Sequence, residues 1–390
     1  MAEPPLKGIR VIELARILAG PWAGQLLADL GADVIKVESP DGGDDTRKWG
    51  PPFVMSHDGE NLSAAYYHSC NRGKRSIAVD FSKPEGAETL RKLVTTADVL
   101  IENFKLGGLK KYGLDYESLK AINPRLVYCS ITGFGQDGPY APRAGYDFII
   151  QAMAGMMSIT GEPGREPQKA GVAISDLFTG LYSVIAIQAA LRHAEKTGEG
   201  QHIDMALYDS QISALGNQNL NYLISGKSPV QMGNAHMNIA PYEVLPVRDG
   251  HIILAVGNDG QFGKFCAAVG LTDLPANPDF ATNPARVANR AKLRELIIAT
   301  LSTWDRDPLL AKLDAAGVPA SPINTIGQMF DDPQTIARGM RLDLDDGHGN
   351  RLPSVRAPMV MSGTPLVYER PSPRLGEHTD EILAELERAK

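Results

Sequence analysis

Three observations predict an α/β fold. Short apolar runs alternate with segments of helical spacing through roughly the first two hundred residues. The polar break Gly226, Lys227, Ser228, Pro229 interrupts that pattern before a second alternation begins. A chain of 390 residues exceeds what one hydrophobic core usually supports. Alternation of this kind implies a parallel, doubly wound sheet covered by helices on both faces, and the length implies two domains.

Taken in order, an apolar run at 11–14 is the first strand and 21–30 has helical spacing. Pro21 suits a first helical turn because its missing N–H would be unpaired there, and Gly31 supplies the stop. Strands follow at 34–37 and 76–81, a helix at 85–96, and strands at 99–102 and 126–131. Leu177, Leu181, Ile185, Ile187 and Leu191 recur with near-helical spacing and predict one long helix from Asp176 to about Glu195. A strand at 202–205 and a helix from Tyr208 to about Ile224 complete the first alternation. The break at 226–229 and the segment 232–238 are the best linker candidates. A smaller α/β region begins with a strand at 251–256 and continues with helices near 261–269, 289–303 and 308–316. The last segment offers strands at 342–344 and 355, the turn Asp346, Gly347, His348, Gly349, Asn350, and a helix at 379–388.

Composition narrows the function classes. The chain is 43% hydrophobic and 22% charged, ordinary for a soluble globular protein. A net charge of -7 repels a phosphate backbone over most of the surface, so nucleic-acid binding is not expected. Neither a signal-length apolar core in MAEPPLKGIR nor an uninterrupted apolar segment near the ~20 residues of a membrane helix is evident. The expectation is a cytoplasmic protein, or a mitochondrial matrix form if a leader has been removed. Cys70, Cys129 and Cys266 are widely spaced and odd in number, and no HExxH or His/Cys cluster occurs, so neither disulfides nor a metal site is expected.

The opening strand, helix and strand ending in Glu38 would suit a dinucleotide-binding fold. Its fingerprint needs glycines spaced GxGxxG so that backbone can approach a pyrophosphate, and this turn reads Ala15, Arg16, Ile17, Leu18, Ala19, Gly20, Pro21. The architecture is retained and the nicotinamide function disfavoured. Asp176 is a lone acid at the head of the long helix, and on spacing alone Ser175 or Asp176 is read as a helix cap.

Longer strings change that reading. ELARILAGPWAGQLLADLGADVIKVESPDGGDDTRKWGPPF from Glu13, NRGKRSIAVDFSKPEG from Asn71, IENF from Ile101, SITGFGQDGPYAPRAGYD from Ser130, GVAISDLFTGLYSVIAIQAAL from Gly171 and LGEHTDEIL from Leu375 together resemble the class III CoA-transferases, the CaiB/BaiF family. The resemblance implies a large Rossmann-like domain of residues 1–225 completed by 335–390, a small α/β domain of 230–325, linkers near 206–230 and 320–345, and an interlocked homodimer. It implies coenzyme A and acyl-CoA as substrates with no tightly bound cofactor. The catalytic position falls on Asp176, whose carboxylate would attack a thioester, giving a mixed anhydride and then an enzyme-CoA thioester.

The same resemblance places Leu18 and Ala19 beside the thioester, and Val79, Asp80, Phe81, Ser82, Asn103, Phe104 and Lys111 on the nucleotide. Arg72 and Arg75 are basic candidates for the CoA phosphates, although single surface charges are more often merely solvated. Tyr146 and Asp147 lie beside the thioester site, with core packing an equal reading for Tyr146. The family's racemase branch carries a histidine where this chain has Tyr146, which disfavours racemisation. Leu18 stands where some relatives have glutamine, so oxalate or formate specificity does not carry over. Asn234 and His236, in a loop read as a closing lid or an exposed turn, and Arg16 and Arg47 are acceptor-carboxylate candidates. GDDTRKWGPPF and NAHMNIAPYEV look most like the branch that uses succinyl-CoA with glutarate or similar acids. A non-catalytic CoA-binding protein is the alternative of another class.

Overall fold

Six short strands form one wholly parallel sheet, in spatial order Arg75–Ala78, Asp33–Glu38, Arg10–Glu13, Val99–Glu102, Val127–Thr132, His202–Ala206. Numbered along the chain this order is 3-2-1-4-5-6, the doubly wound arrangement. Val11, Ile12, Val34, Ile35, Val99, Ile101, Val127 and Cys129 fill the strands, and all are buried because helices cover both faces. The register sets Ile12 opposite both Ile35 and Leu100.

In this computed structural model, residues 3–388 are described, and the chain divides into two units. The first comprises Met1–Met156, Ala170–Ser225 and Pro333–Lys390. On one face of its sheet, helices Ala19–Asp29 and Ile174–Thr197 bury Ala23, Leu27, Ile187 and Leu191. On the other, Pro84–Val94 and the C-terminal helix Thr379–Arg388 bury Leu90, Leu93 and Ile382. The chain end is tied to the sheet by Arg75, which pairs with Glu381 at 2.9 Å and Glu385 at 2.7 Å.

The second unit comprises Met157–Lys169 and Gly226–Asp332. Its antiparallel sheet runs Ala320–Ser321, Gly250–Ala255, Tyr242–Val247, and its helices Asp259–Val269, Arg290–Leu301 and Arg306–Ala315 enclose Phe262, Phe265, Ile297 and Leu309. The sequence reading left 157–169 in the first domain. The structure instead ties it to the second unit, where the Gly233 N–H donates to the Gly161 carbonyl at 3.0 Å and the Gln231 amide to the Thr160 carbonyl at 3.0 Å.

Two element boundaries differ from expectation in ways the structure explains. The third strand stops at Ala78 because Asp80 accepts from the Ser82 N–H at 3.1 Å and its hydroxyl at 2.6 Å, closing a turn. The helix expected from Tyr208 to Ile224 is two, Leu207–Ala214 and Asn217–Ser225, broken at Gly216, whose φ is +54°. Among the described residues the 174–197 helix is long and apolar enough to cross a bilayer, contrary to the sequence expectation; one face of it packs in the first core.

Candidate active site

Strand order reverses between Arg10–Glu13 and Val99–Glu102, and a crevice opens beyond the carboxyl ends of such a pair. Two segments leave the sheet there: Leu14 to Leu18, leading into the 19–29 helix, and Asn103 with Phe104. The 174–197 helix comes against the 19–29 helix at Gly180, where a Cβ would stand 2.8 Å from the Ala19 carbonyl oxygen. Glycine is required by that close approach.

Asp176 is the third residue of the 174–197 helix, capped by Ala173. It is not the cap that spacing alone suggested; it sits inside the first turn, where free N–H groups favour an anion. The Ala19 backbone N–H, first of its own helix, also faces the carboxylate. Pro21 contributes no N–H, so that helix offers few donors in its first turn.

Burial, then the charge of Asp147, push the Asp176 carboxyl up to about 7, opposed by the Ala19 N–H. A carboxyl balanced near neutrality is ionised often enough to attack and retains more basicity than a solvated aspartate. Asp147 begins the helix Asp147–Met153 and accepts from the Ser175 N–H at 2.8 Å and the Gln151 amide at 2.7 Å. It therefore pins the start of the helix that carries Asp176.

Tyr66 was not singled out by the sequence. Burial first, then the charges of Asp176, Cys70 and Asp147, push its hydroxyl up to about 12, which places it among these acids as a neutral phenol. Its ring meets Trp49 edge-on at 5.4 Å, and Trp49 is exposed. Tyr66 and Trp49 make an aromatic wall in the Asp176 neighbourhood.

The arginines are placed differently from expectation. Arg47 is 8% exposed, donates to Glu38 at 2.8 and 2.7 Å, to Tyr67 at 2.7 Å and to the Pro373 carbonyl at 3.1 Å, and stacks on Tyr67. Arg72 is bound to Asp29 through Nε at 2.9 Å, and Arg75 to Asp33 at 2.9 and 2.6 Å besides its two C-terminal glutamates. These buried guanidiniums are engaged by protein carboxylates, which corrects the solvated-surface reading. Arg16 stays exposed, pairs with Asp45 at 3.0 Å and lies 5.7 Å from the centre of the Phe104 ring.

Beneath the turn lies a second group that sequence reading missed. Lys36 pairs with Glu13 at 3.1 Å and Asp44 at 2.9 Å, and Lys74 with Glu13 at 2.8 Å, all four side chains fully enclosed. Burial opposes ionisation of Asp44, but Lys36 and the Thr46 N–H hold its carboxyl down at about 2. A signal existed in the sequence: Lys36 interrupts an apolar strand between Ile35 and Val37, and a charge there requires a partner. Ile17, directly above, has φ +74°. A β-branched residue in that region costs about 1–3 kcal/mol.

Three nucleotide candidates converge with Tyr112, which the sequence did not single out. Phe104 meets Phe81 edge-on at 5.6 Å, Phe81 meets Tyr112 at 5.5 Å, and the Lys111 ammonium lies 4.7 Å from the Tyr112 ring. All three rings are half-buried, and Lys111 is exposed. Val79 is half-buried beside them, Asp80 and Ser82 bond to one another, and Asn103 bonds to the Arg16 backbone.

Leu18 and Ala19 are buried at the helix start. Tyr146 is 62% exposed, so its core-packing reading does not hold. Asn234 and His236 belong to the second unit; Asn234 is exposed, and His236 accepts from the Asn238 N–H at 3.1 Å. Burial pushes all three free thiols up to about 12, which removes them as nucleophiles. Among the described residues no three His, Cys, Asp or Glu side chains gather as metal ligands. A cavity of about 260 Å³, lined by His68, His348, Arg370 and His378 among others, includes none of the candidate residues.

The model of CoA-transferase family III matches residues 6–379. The chain belongs to that family. This class III CoA-transferase is 64% identical over 385 residues to a succinate–glutarate CoA-transferase of Agrobacterium fabrum, covering 99% of this chain and 96% of that one. It is 41% identical over 383 residues to the human succinyl-CoA:glutarate CoA-transferase, covering 98% and 86%. The crystal structure of a CaiB/BaiF family protein from Brucella suis superimposes with a TM-score of 0.88 at 61% identity, over 99% of this chain and 100% of that one. The fold expected from the sequence is thereby shown at the level of a solved family member.

Proposed function

We propose that this transferase moves CoA from succinyl-CoA to a dicarboxylate, with glutarate the preferred acceptor, and that Asp176 is the nucleophile. The observation that carries the mechanism is the placement of one acid in the first turn of the 174–197 helix, where that helix packs on the start of the 19–29 helix at Gly180 and Asp147 holds the adjoining Ser175 N–H. The names of the bacterial and human relatives support the substrate pair.

Asp176 attacks the succinyl-CoA carbonyl, the C–S bond breaks, and a succinyl-aspartyl anhydride and CoA thiolate result. The thiolate attacks the aspartyl carbonyl, releasing succinate and leaving CoA on Asp176 as a thioester. The glutarate carboxylate then displaces CoA to form a second anhydride, and the thiolate attacks its glutaryl carbonyl, which gives glutaryl-CoA and restores Asp176. The Ala19 N–H is placed to stabilise charge on the aspartyl oxygen through these steps.

Phe81, Phe104 and Tyr112 suit the adenine and Lys111 its phosphates, in place of Arg72 and Arg75. Val79, Asp80, Ser82 and Asn103 shape that edge. Arg16 remains the acceptor-carboxylate candidate in the first unit, Asn234 and His236 those of the second. CoA and acyl-CoA act as substrates, with no resident cofactor, and the protein works in the cytoplasm, or in the mitochondrial matrix if processed.

A homodimer accounts for apolar surface a lone chain would leave in water. Leu181 and Ile185 on the 174–197 helix are 44% and 64% exposed, and Leu223 and Ile224 on the 217–225 helix 72% and 82%. Incubation with succinyl-CoA and a panel of carboxylic acids, followed by mass spectrometry, tests the reaction. Glutaryl-CoA that disappears in Asp176→Asn is the expected result. Exchange that persists in Asp176→Asn would refute the nucleophile, and products from monocarboxylic acids alone would refute the acceptor class.

A further inference from the structure

The turn between the first strand and the 19–29 helix is held at five consecutive polar backbone atoms by side chains from four separate segments. The Ala15 carbonyl accepts from Lys36 Nζ at 3.0 Å. The Arg16 N–H donates to Asn103 Oδ1 at 2.9 Å, and the Arg16 carbonyl accepts from Asn103 Nδ2 at 2.7 Å. The Ile17 N–H donates to both Asp44 carboxylate oxygens at 3.3 Å, and the Ile17 carbonyl accepts from the Cys70 thiol at 3.6 Å. Two residues later comes Ala19, which packs on the helix of Asp176 where a Cβ at Gly180 would stand 2.8 Å from its carbonyl oxygen, and whose N–H favours the ionised Asp176 carboxyl.

A surface loop rarely has its backbone bonded so completely by side chains, and Ile17 at φ +74° would leave that conformation if released. Asn103 bonds the Arg16 backbone through both ends of its amide, which fixes the amide's orientation against the turn. Asp44 is fixed from behind by Lys36 and by Thr46, whose N–H lies at 3.0 Å and hydroxyl at 2.8 Å.

We propose that Asn103 and Asp44 are positioning residues: they clamp a strained turn so that the Ala19 N–H stays aimed at the Asp176 carboxylate. This rests on Asp176 as nucleophile and deepens that reading. The groups facing Asp176 are the Ala19 N–H from the 19–29 helix, Asp147 from the 147–153 helix and Tyr66 from the short helix Ala65–His68. Of these, the clamp controls only the Ala19 donor, which favours the ionised form. Losing it raises the pH at which Asp176 becomes active.

The pH dependence of kcat/KM for succinyl-CoA tests the clamp, because its acid-limb midpoint reports the free enzyme and is unaffected by the fraction of protein that folds. In Asn103→Ala the midpoint is expected to rise by roughly half to one pH unit, with a roughly threefold to tenfold loss at pH 6.5 that recovers above pH 9. Ile17→Gly, combined with Asn103→Ala, removes the strain that drives the turn away and should restore at least half of the shift. A ligand contact by Asn103 would not be rescued by glycine at position 17. Asp44→Asn, which weakens the acceptor for the Ile17 N–H, is expected to move the midpoint in the same direction, and should it fail to fold the Asn103 and Ile17 pair carries the test.

An unmoved midpoint in folded Asn103→Ala, or a shift that glycine does not reduce, overturns the clamp. Full activity in Asp176→Asn overturns the nucleophile beneath it, and that outcome is read independently of the midpoint.

Discussion

Asp44 and Asp176 belong to the same unit and address the same turn, one through the Ile17 N–H and the other through the Ala19 N–H, yet their carboxyls end at about 2 and about 7. Burial pushes both upward. Asp44 overcomes it with the Lys36 ammonium at 2.9 Å and the Thr46 donors, whereas Asp176 has one backbone donor and an acidic neighbour. The difference separates an acid held charged by a buried cation from one left near neutrality without a cation, which is the setting the proposed nucleophile requires.

The largest effect should come from removing the reactive acid. Asp176→Asn is expected to lower the exchange rate by at least ~10³-fold, as loss of a covalent nucleophile does. A steady-state assay at saturating succinyl-CoA and glutarate reads it. The same variant should gain stability at pH 8. A carboxyl whose folded pKa is raised above its unfolded value disfavours folding increasingly as pH climbs from near 4 through 7, and asparagine has no such charge. Thermal melts should show a gain of ~1–3 kcal/mol at pH 8 that fades toward pH 4.

Breaking the other acid's pairing should cost stability. Lys36→Met leaves Asp44 enclosed without its ammonium, and unfolding by denaturant should show a loss of about 3–5 kcal/mol. For the intact protein, Asp44 contributes stability that is complete above pH ~4 and is lost as pH falls toward 2, the opposite slope from Asp176.

Asp147→Asn sharpens the comparison at the reactive acid. It keeps an acceptor for the Ser175 N–H and deletes the charge, so the Asp176 carboxyl falls and the acid limb of kcat/KM moves down by roughly half to one pH unit. The smallest effect is expected at the nucleotide edge. Lys111→Ala should raise KM for succinyl-CoA by roughly threefold to tenfold, more at low salt, while kcat holds, because a phosphate contact is the same in ground and transition states.

Much of the first unit was legible. Val11, Val34, Val99 and Val127 mark strands by composition, and Pro21 and Gly31 bracket the first helix for local backbone reasons. Asp176 stood out by string resemblance, and the structure adds its surroundings: the first turn of a long helix, with Asp147 beside it. What sequence could not supply is pairing across distance. Arg72 and Asp29 are 43 residues apart and Arg75 and Glu385 310 apart, so their guanidiniums read as available for phosphate until the fold brought the carboxylates in. The same applies to 157–169, whose bonds to Gln231 and Gly233 are invisible to any local window. Tyr66 and Asp44 carry no local pattern at all; only the folded neighbourhood of Asp176 and Ile17 selects them.

The central claim is that Asp176 itself carries CoA. The most direct test is to mix the enzyme with succinyl-CoA without acceptor, quench in acid, digest, and map the CoA-bearing peptide by mass spectrometry. The account predicts CoA on the peptide containing Asp176, lost on adding glutarate with stoichiometric release of glutaryl-CoA. CoA found on any other residue, or exchange that continues in Asp176→Asn with no adduct formed, would contradict it.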